Sequence, residues 1–282
     1  LCVSGGVALN SVAMGKLWTA FPQLKGIYVP PVPYDGGLCI GAAQYHWHHV
    51  MNRPRVKWED NATPYLGLTY PHEVIHSSVG TMAYRDVVSD VSVGLDHRDG
   101  VCINEVIDLL DAGKIIAVFN GRAESGRRAL GNRSILADPR KSDMKDRVNR
   151  KVKHRQWFRP FAPSVRREDV ADWFVRDIDS PYMSFVVPFN PEKTIQVPAV
   201  VHFDGSARLQ TVSVNDNPWY HDFLTRWKAK TGVPIILNTS FNDREPICET
   251  PDHALKCFMG TDIDHLYFPE TGTLVSKRPG QK

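Results

Sequence analysis

The chain contains no apolar run approaching the roughly 18 residues that a bilayer-spanning helix needs, so no membrane segment is expected within it. Its first residues, LCVSGGVALN, lack a basic stretch before an apolar one and are broken by a glycine pair, which excludes a signal-peptide reading. Cysteine is scarce. The five thiols, Cys2, Cys39, Cys102, Cys248 and Cys257, are odd in number, scattered and without CxxC spacing. That argues against a disulfide framework or a zinc site and fits a reducing cytoplasm, the expected location. Internal repeats and low-complexity tracts are also lacking. An initiator Met is missing too, and the chain opens inside what reads as a strand-turn-helix unit. The expectation is therefore the C-terminal part of a longer protein.

What remains is an ordinary globular composition: 282 residues, 42% hydrophobic and 23% charged, enough for one large domain or two modest ones. The net charge of +3 hides a strong asymmetry. Gly121 to Arg167 hold 15 Lys and Arg against 4 Asp and Glu, a net of +11, while the remainder carries 19 against 27, or −8. Within this block GRAESGRRALGNRSILADPR places five arginines and three glycines in twenty residues, with Glu124 and Asp138 as its acids. The arginines are interleaved with Gly, Asn, Ser and Pro rather than paired with Glu at i,i+4, so a solvated basic helix face explains them poorly. Gly121, Gly126 and Gly131 recur every five residues, which suits a loop wound closely around an anion. Asn132, Ser134 and Asn149 supply neutral polar groups to orient it. A second basic rim follows in Asn149-x-x-x-Lys153-x-Arg155-x-x-x-Arg159-Pro160. Arginine forks grip phosphate bidentately and lysine adds a point charge, the combination a polyphosphate site wants.

Other stretches add candidates. SGGVALN, Ser4 to Asn10, reads as a strand ending in glycines that opens a helix, where backbone N–H groups can approach a phosphate. GIYVPP is a second short strand. Asp35-Gly36-Gly37 stands at the next turn, where Asp35 either ligates a divalent cation or caps a helix over LCIGAAQYHWHHV. His46, His48 and His49 lack carboxylates at matching spacing and are read as helix-face residues. Residues 52–100 have little pattern, with turn-rich NRPRVKWEDNATP and HRDG, and are read as a connector leading to a boundary near Leu95. Helices are expected over VCINEVIDLLDAG, PWYHDFLTRWKAKTG and PDHALKCFMG, and strands at KIIAVFNG, YMSFVVP, VPAVVHF, RLQTVSV, VPIILNTSF and HLYFP. HFDGSARLQTV offers His202, Asp204, Arg208 and Gln210 near a strand start. LNTSFNDREPI puts Asn238, Thr239, Ser240 and Asn242 after an apolar strand, lining either a cleft or a turn. Trp157, Phe158 and Phe161 are read as packing residues.

Six of these motifs in order, SGGVALN, PYDGGLCIGAA, GRAESGRRALGNRSILADPR, NRKVKHRQWFRPFAPS, VVHFDGSARLQTV and PIILNTSFNDREPI, resemble the carbamoyltransferases of antibiotic and nodulation-factor biosynthesis. One departure is Gly126-Arg127-Arg128, where that family usually has Gly-Pro-Arg. The resemblance implies an α/β (α+β) chain. Residues 1–95 would end an actin-like ATPase (Kae1-like) domain, and residues 96–282 would form a YrdC-like domain with a mixed twisted sheet and flanking helices. It implies ATP and carbamoyl phosphate as substrates that form carbamoyl adenylate in the YrdC-like part. The carbamoyl group would then pass to a secondary-metabolite hydroxyl in the actin-like part, beside a divalent metal of the Fe2+ or Mg2+ type. Arg128, Lys153, Arg159 and Arg208 match the family's basic catalytic positions. Asn132, Ser134, Asn149, Arg155, Asn238, Ser240 and Asn242 line the same pocket, Gly5, Gly6 and Asn10 touch the adenylate, and Asp35 is a metal ligand. The remaining ligands, a histidine pair, would come from a preceding portion of the protein.

The partners so implied are a small-molecule hydroxyl acceptor, that preceding portion and a second copy in a homodimer, with neither nucleic acid nor membrane. Two other readings stay open: a threonylcarbamoyl-adenylate synthase relative serving tRNA modification, and a non-catalytic nucleotide-binding module. The first draws on the basic block but lacks aromatic-basic interleaving.

Overall fold

A computed structural model describes residues 1–55, 64–88 and 94–278. Its helices are α1 (Ser11–Ala20), α2 (Leu38–Tyr45), α3 (His72–Val88), α4 (Ile103–Asp111), α5 (Met144–Lys151), α6 (Val170–Trp173), α7 (Pro218–Thr231) and α8 (Pro251–Met259). The strands are β1 (Leu95–Arg98), β2 (Ile116–Phe119), β3 (Arg133–Ala137), β4 (Ala162–Arg166) and β5 (Phe185–Pro188), then β6 (Ser206–Val212), β7 (Ile235–Ser240), β8 (His265–Phe268) and β9 (Thr273–Lys277). They form one mixed sheet in the order β1-β9-β8-β2-β3-β7-β4-β6-β5, parallel only at β2/β8 and β4/β6. The chain is thus a mixed α/β fold with flanking helices.

Local chemistry sets the helix ends. Asn217 accepts the Tyr220 N–H at 3.0 Å, Pro218 opens α7, and Gly232 closes it at φ +77°. Thr250 caps α8 through the His253 N–H, and the Glu105 carboxylate reaches back to the Cys102 N–H ahead of α4. Alternation along the central strands then sorts side chains to two faces. Ile116, Val118, Leu136 and Ile236 face Val106, Ile107 and Leu110 of α4 and Tyr220, Phe223, Leu224 and Trp227 of α7. Ala117, Phe119, Ile135, Ala137 and Leu237 face the larger cluster, which includes Leu255 and Phe258 of α8 and also Met14, Val29, Ile75 and Val79. The described residues before Leu95 give the sheet no strand yet share its core. The contact is close: a Cβ at Gly15 of α1 would lie 2.1 Å from the Val186 carbonyl of β5, and Trp18 meets Phe185 edge-on at 6.0 Å.

Several expectations change. α3 occupies the stretch read as an unpatterned connector, with Ile75 and Val79 buried. Residues 56–63, within its turn-rich start, lie outside the described residues. VPAVVHF is not a strand; Pro198 opens a 3-10 turn within it, just after the one that Pro191 opens, because proline fixes φ and removes a ladder donor. GIYVPP makes only an isolated bridge, Tyr28 to Cys2. The second half of the arginine-glycine stretch is not loop but β3, between β2 and β7. Among the described residues, no helix is long and apolar enough to cross a membrane.

Candidate active site

Arg208 projects from β6 with its side chain part-buried and its Nε enclosed without a hydrogen-bond partner. Three arginines act on it. Burial lowers its pKa to about 9, and the charges of Arg128, Arg155 and Arg159 push in the same direction. Arg155 is lowered to about 10 by burial and Arg159, and Arg128 is lowered by burial and Arg127. Among the described residues, no carboxylate is a leading cause of the shift at any of these three guanidiniums. Part-buried Arg128, Arg155 and Arg208, with exposed Arg159 beside them, thus gather like charges that an anionic ligand would offset. Arg155 is itself aimed by the Asn149 Oδ1, which accepts its Nε–H at 2.7 Å, and by the Phe161 ring 4.6 Å below it. Asn149 Nδ2 donates to the Trp157 and Arg159 carbonyls, which fixes the loop that carries both arginines.

Lys153 forms a second cluster at the end of β7. Its Nζ donates to the Ser240 carbonyl at 2.9 Å and Oγ at 3.2 Å, and to the Asn242 carbonyl at 2.6 Å and Oδ1 at 2.7 Å. Burial and Arg155 lower the Lys153 pKa to about 8, against the weaker pull of Cys257, Asp243 and Glu245. The ammonium is therefore held by neutral oxygens and can be recruited by a stronger anion.

Asn132, Ser134 and Asn238 turn inward. Asn132 Oδ1 accepts from Asn217 Nδ2 at 2.9 Å, and Ser134 Oγ accepts the Gly131 N–H at 2.9 Å. Asn238 Nδ2 donates to the Ala129 carbonyl, Ser164 Oγ and Gln210 Oε1.

Gly5, with φ +96°, and exposed Asp35 line a cavity of about 1240 Å3 together with Tyr34, Pro31, His48 and Ser125. Gly6 begins the 3-10 turn Gly6–Leu9, and Asn10 caps α1 by accepting the Ala13 N–H at 3.1 Å. Asp35 contributes one oxygen. The one close trio of metal-type donors among the described residues lies elsewhere, so the residues here do not by themselves make a metal site at Asp35. The arginine loop joins this cavity to the basic cluster. Arg128 Nη2 donates to the Leu9 carbonyl at 3.3 Å while its charge bears on Arg208. Arg127, which stands where the family has proline, lies 4.5 Å over the Tyr34 ring, next to Asp35. A Cβ at Gly126 would sit 2.5 Å from the Pro31 carbonyl, so the loop can approach this closely only without a side chain.

Two residues that hold the loop carry no motif signal. Arg133 is fully buried, 3.5 Å over the Phe119 ring, and donates to the Asn120, Gly121 and Asn132 carbonyls. Glu124 accepts the N–H groups of Leu130, Asn132 and Arg133, and burial raises its pKa despite those bonds and the nearby Arg133. Phe161 is buried as expected, but Trp157 and Phe158 are not packing residues: they are 69% and 62% exposed beside the two rim arginines.

Comparison with known proteins bears on the family. A family model described as "Carbamoyltransferase C-terminus" matches residues 107–277. Nodulation protein NolO of Bradyrhizobium diazoefficiens is 39% identical over 286 residues, covering 99% of this chain and 50% of its own length. The 3'-hydroxymethylcephem-O-carbamoyltransferase of Amycolatopsis lactamdurans is 34% identical over 242 residues, 86% of this chain and 42% of its own length. Nodulation protein U of Sinorhizobium fredii is also 34% identical over 242 residues, 39% of its length. The chain spans about half the length, or less, of these curated relatives. By sequence match over most of its sheet, this chain belongs to the carbamoyltransferase C-terminal family.

Proposed function

We propose that this chain carries the carbamoyl-adenylate-forming part of an ATP-dependent O-carbamoyltransferase. The observation that carries the reading is the cluster of Arg128, Arg155, Arg159 and Arg208, which holds like charges together with no acid to balance them. Carbamoyl phosphate and ATP are both anionic, and bringing them together requires such compensation. In the proposed reaction water cleaves carbamoyl phosphate to carbamate and phosphate. The carbamate oxygen then attacks the α-phosphorus of ATP and pyrophosphate leaves. The arginines hold the phosphoryl oxygens in place and Lys153 adds a mobile charge at the β7 end. Residues 96–282 are proposed as the YrdC-like unit, and residues 1–95 as the end of the actin-like unit. In that reading Gly5, Gly6 and Asn10 meet the adenylate at the turn that Arg128 touches. A divalent metal at Asp35 would polarise the transferred group when bound, but its other ligands must come from outside this chain. The hydroxyl acceptor and the preceding part of the protein are proposed partners.

The test is exchange of labelled pyrophosphate into ATP. Exchange that depends on carbamoyl phosphate is expected. Exchange with bicarbonate and threonine instead would move the assignment to a tRNA-modification relative, and no exchange with either would sink both. One observation favours that second reading: exposed Trp157 and Phe158 beside Arg155 and Arg159 could stack on unpaired bases, which a salt-titrated tRNA-binding assay measures directly.

A pH dependence follows from Lys153. Its ammonium loses its proton as pH rises through about 8, well below the usual lysine value. ATP affinity should therefore weaken above pH 8 in the native chain. Lys153→Arg, which keeps its charge, should remove that break, as isothermal titration at several pH values would show. An identical break in both proteins would remove Lys153 from the clamp.

A further inference from the structure

The loop after β7 and helix α8 carry a cluster that the phosphate chemistry leaves unused. Glu245, Cys248 and Cys257 each bring one ligand atom to within 4.8 Å of the other two. Both thiols are buried and Glu245 is exposed. Their spacing, Glu-x2-Cys-x8-Cys, is one that a search for CxxC passes over. The fold closes it. Cys248 N–H bonds the Phe241 carbonyl at 3.0 Å, which turns the loop back to the end of β7, and Thr250 then caps α8 so that Cys257 returns two turns later. The carboxylate is fixed in advance: Glu245 Oε1 accepts the Asp243 N–H at 3.0 Å and Oε2 the Arg244 N–H at 3.1 Å.

We propose that Glu245, Cys248 and Cys257 form a binding site for a thiophilic divalent cation of the zinc class, with a fourth position open on the solvent side. Two thiolates bound tetrahedrally, with metal–sulfur bonds of about 2.3 Å, stand roughly 3.8 Å apart, which this cluster accommodates. Two sulfurs and a carboxylate oxygen select zinc over magnesium or calcium, which prefer all-oxygen sites. Binding forms two metal–sulfur bonds and one metal–oxygen bond, releases two thiol protons to water and involves no electron transfer. Three anionic ligands on a dication leave one negative charge. The ammonium groups of Lys153 and Lys277 already act on Cys257 and offset it. In the metal-free trio Cys248 donates to the His253 carbonyl at 3.4 Å.

The test uses the full chain, reduced, stripped by a chelator and titrated with Co2+. One equivalent should produce a thiolate-to-cobalt charge-transfer absorption that Zn2+ abolishes by displacement. Zn2+ should protect Cys248 and Cys257, but not exposed Cys2 and Cys39, from alkylation read by peptide mass. Glu245→Ala, at an exposed residue, should weaken Co2+ binding on the order of 10-fold or more, and Cys257→Ser should remove the absorption. The proposal fails if no such absorption appears, or if it is unchanged in both variants. It fails equally if Zn2+ gives the buried thiols no protection in the unaltered chain, a measurement that stands even where Cys257→Ser does not fold. A Cys248–Cys257 disulfide in the freshly purified chain would also overturn it.

Discussion

Arg208→Ala is expected to lower carbamoyl-phosphate-dependent pyrophosphate exchange by on the order of 10²- to 10³-fold, the loss that follows removal of one pre-aimed donor from a site of developing charge. Arg208 is the centre of the cluster, since Arg128, Arg155 and Arg159 all bear on it. Its Nε is enclosed without a hydrogen-bond partner. The same geometry gives the variant a second signature. Removing an unbalanced buried cation relieves repulsion, so Arg208→Met should unfold at a higher temperature than the native chain while losing exchange. A purely structural arginine would do the reverse. Arg127→Ala is the control: Arg127 rests on Tyr34, and its loss should leave exchange within a few-fold. Full activity in Arg208→Ala would end the clamp assignment.

The largest expected effect on stability comes from the other half of the same stretch. Arg133→Met should reduce unfolding free energy by roughly 3–5 kcal/mol, the consequence of leaving several buried carbonyls without their charged donor. It would leave the Asn120, Gly121 and Asn132 carbonyls without their guanidinium donor and the enclosed Glu124 without the neighbouring cation. Chemical denaturation followed by tryptophan fluorescence measures the shift. The double variant Arg133→Met with Glu124→Gln should lose less than the sum of the two single losses, because the pair is coupled. Strict additivity would show that the two residues act separately.

Much of this fold is written locally. α4, α7 and α8 are marked by apolar spacing, Pro at the first turn of two of them and Gly at or near their ends, and each forms near its expected place. β3 and β4 are not, for physical reasons. Arg133 and Ser134 are polar residues in a buried strand, legible only once the carbonyls that satisfy them are in place. Pro163 sits within β4 between two partners, where proline ordinarily argues against a strand. The excess of arginine was visible in the sequence, but its division of labour was not. Arg133 packs on Phe119, Arg127 stacks on Tyr34, and Arg128 spans two clusters; the last two roles depend on residues far away in the chain, as with Leu9 and Arg128. Glu124 gave no signal because its partners are backbone N–H groups, which no motif records.

The fit of α1 against β5 bears on protein engineering in this family. Splicing the front of one relative onto the back of another at Leu95 would follow the start of the sheet, yet it would separate Gly15 from the Val186 carbonyl and Trp18 from Phe185. Chimeras would then mismatch at a buried seam unless residues 1–94 travelled with their own sheet.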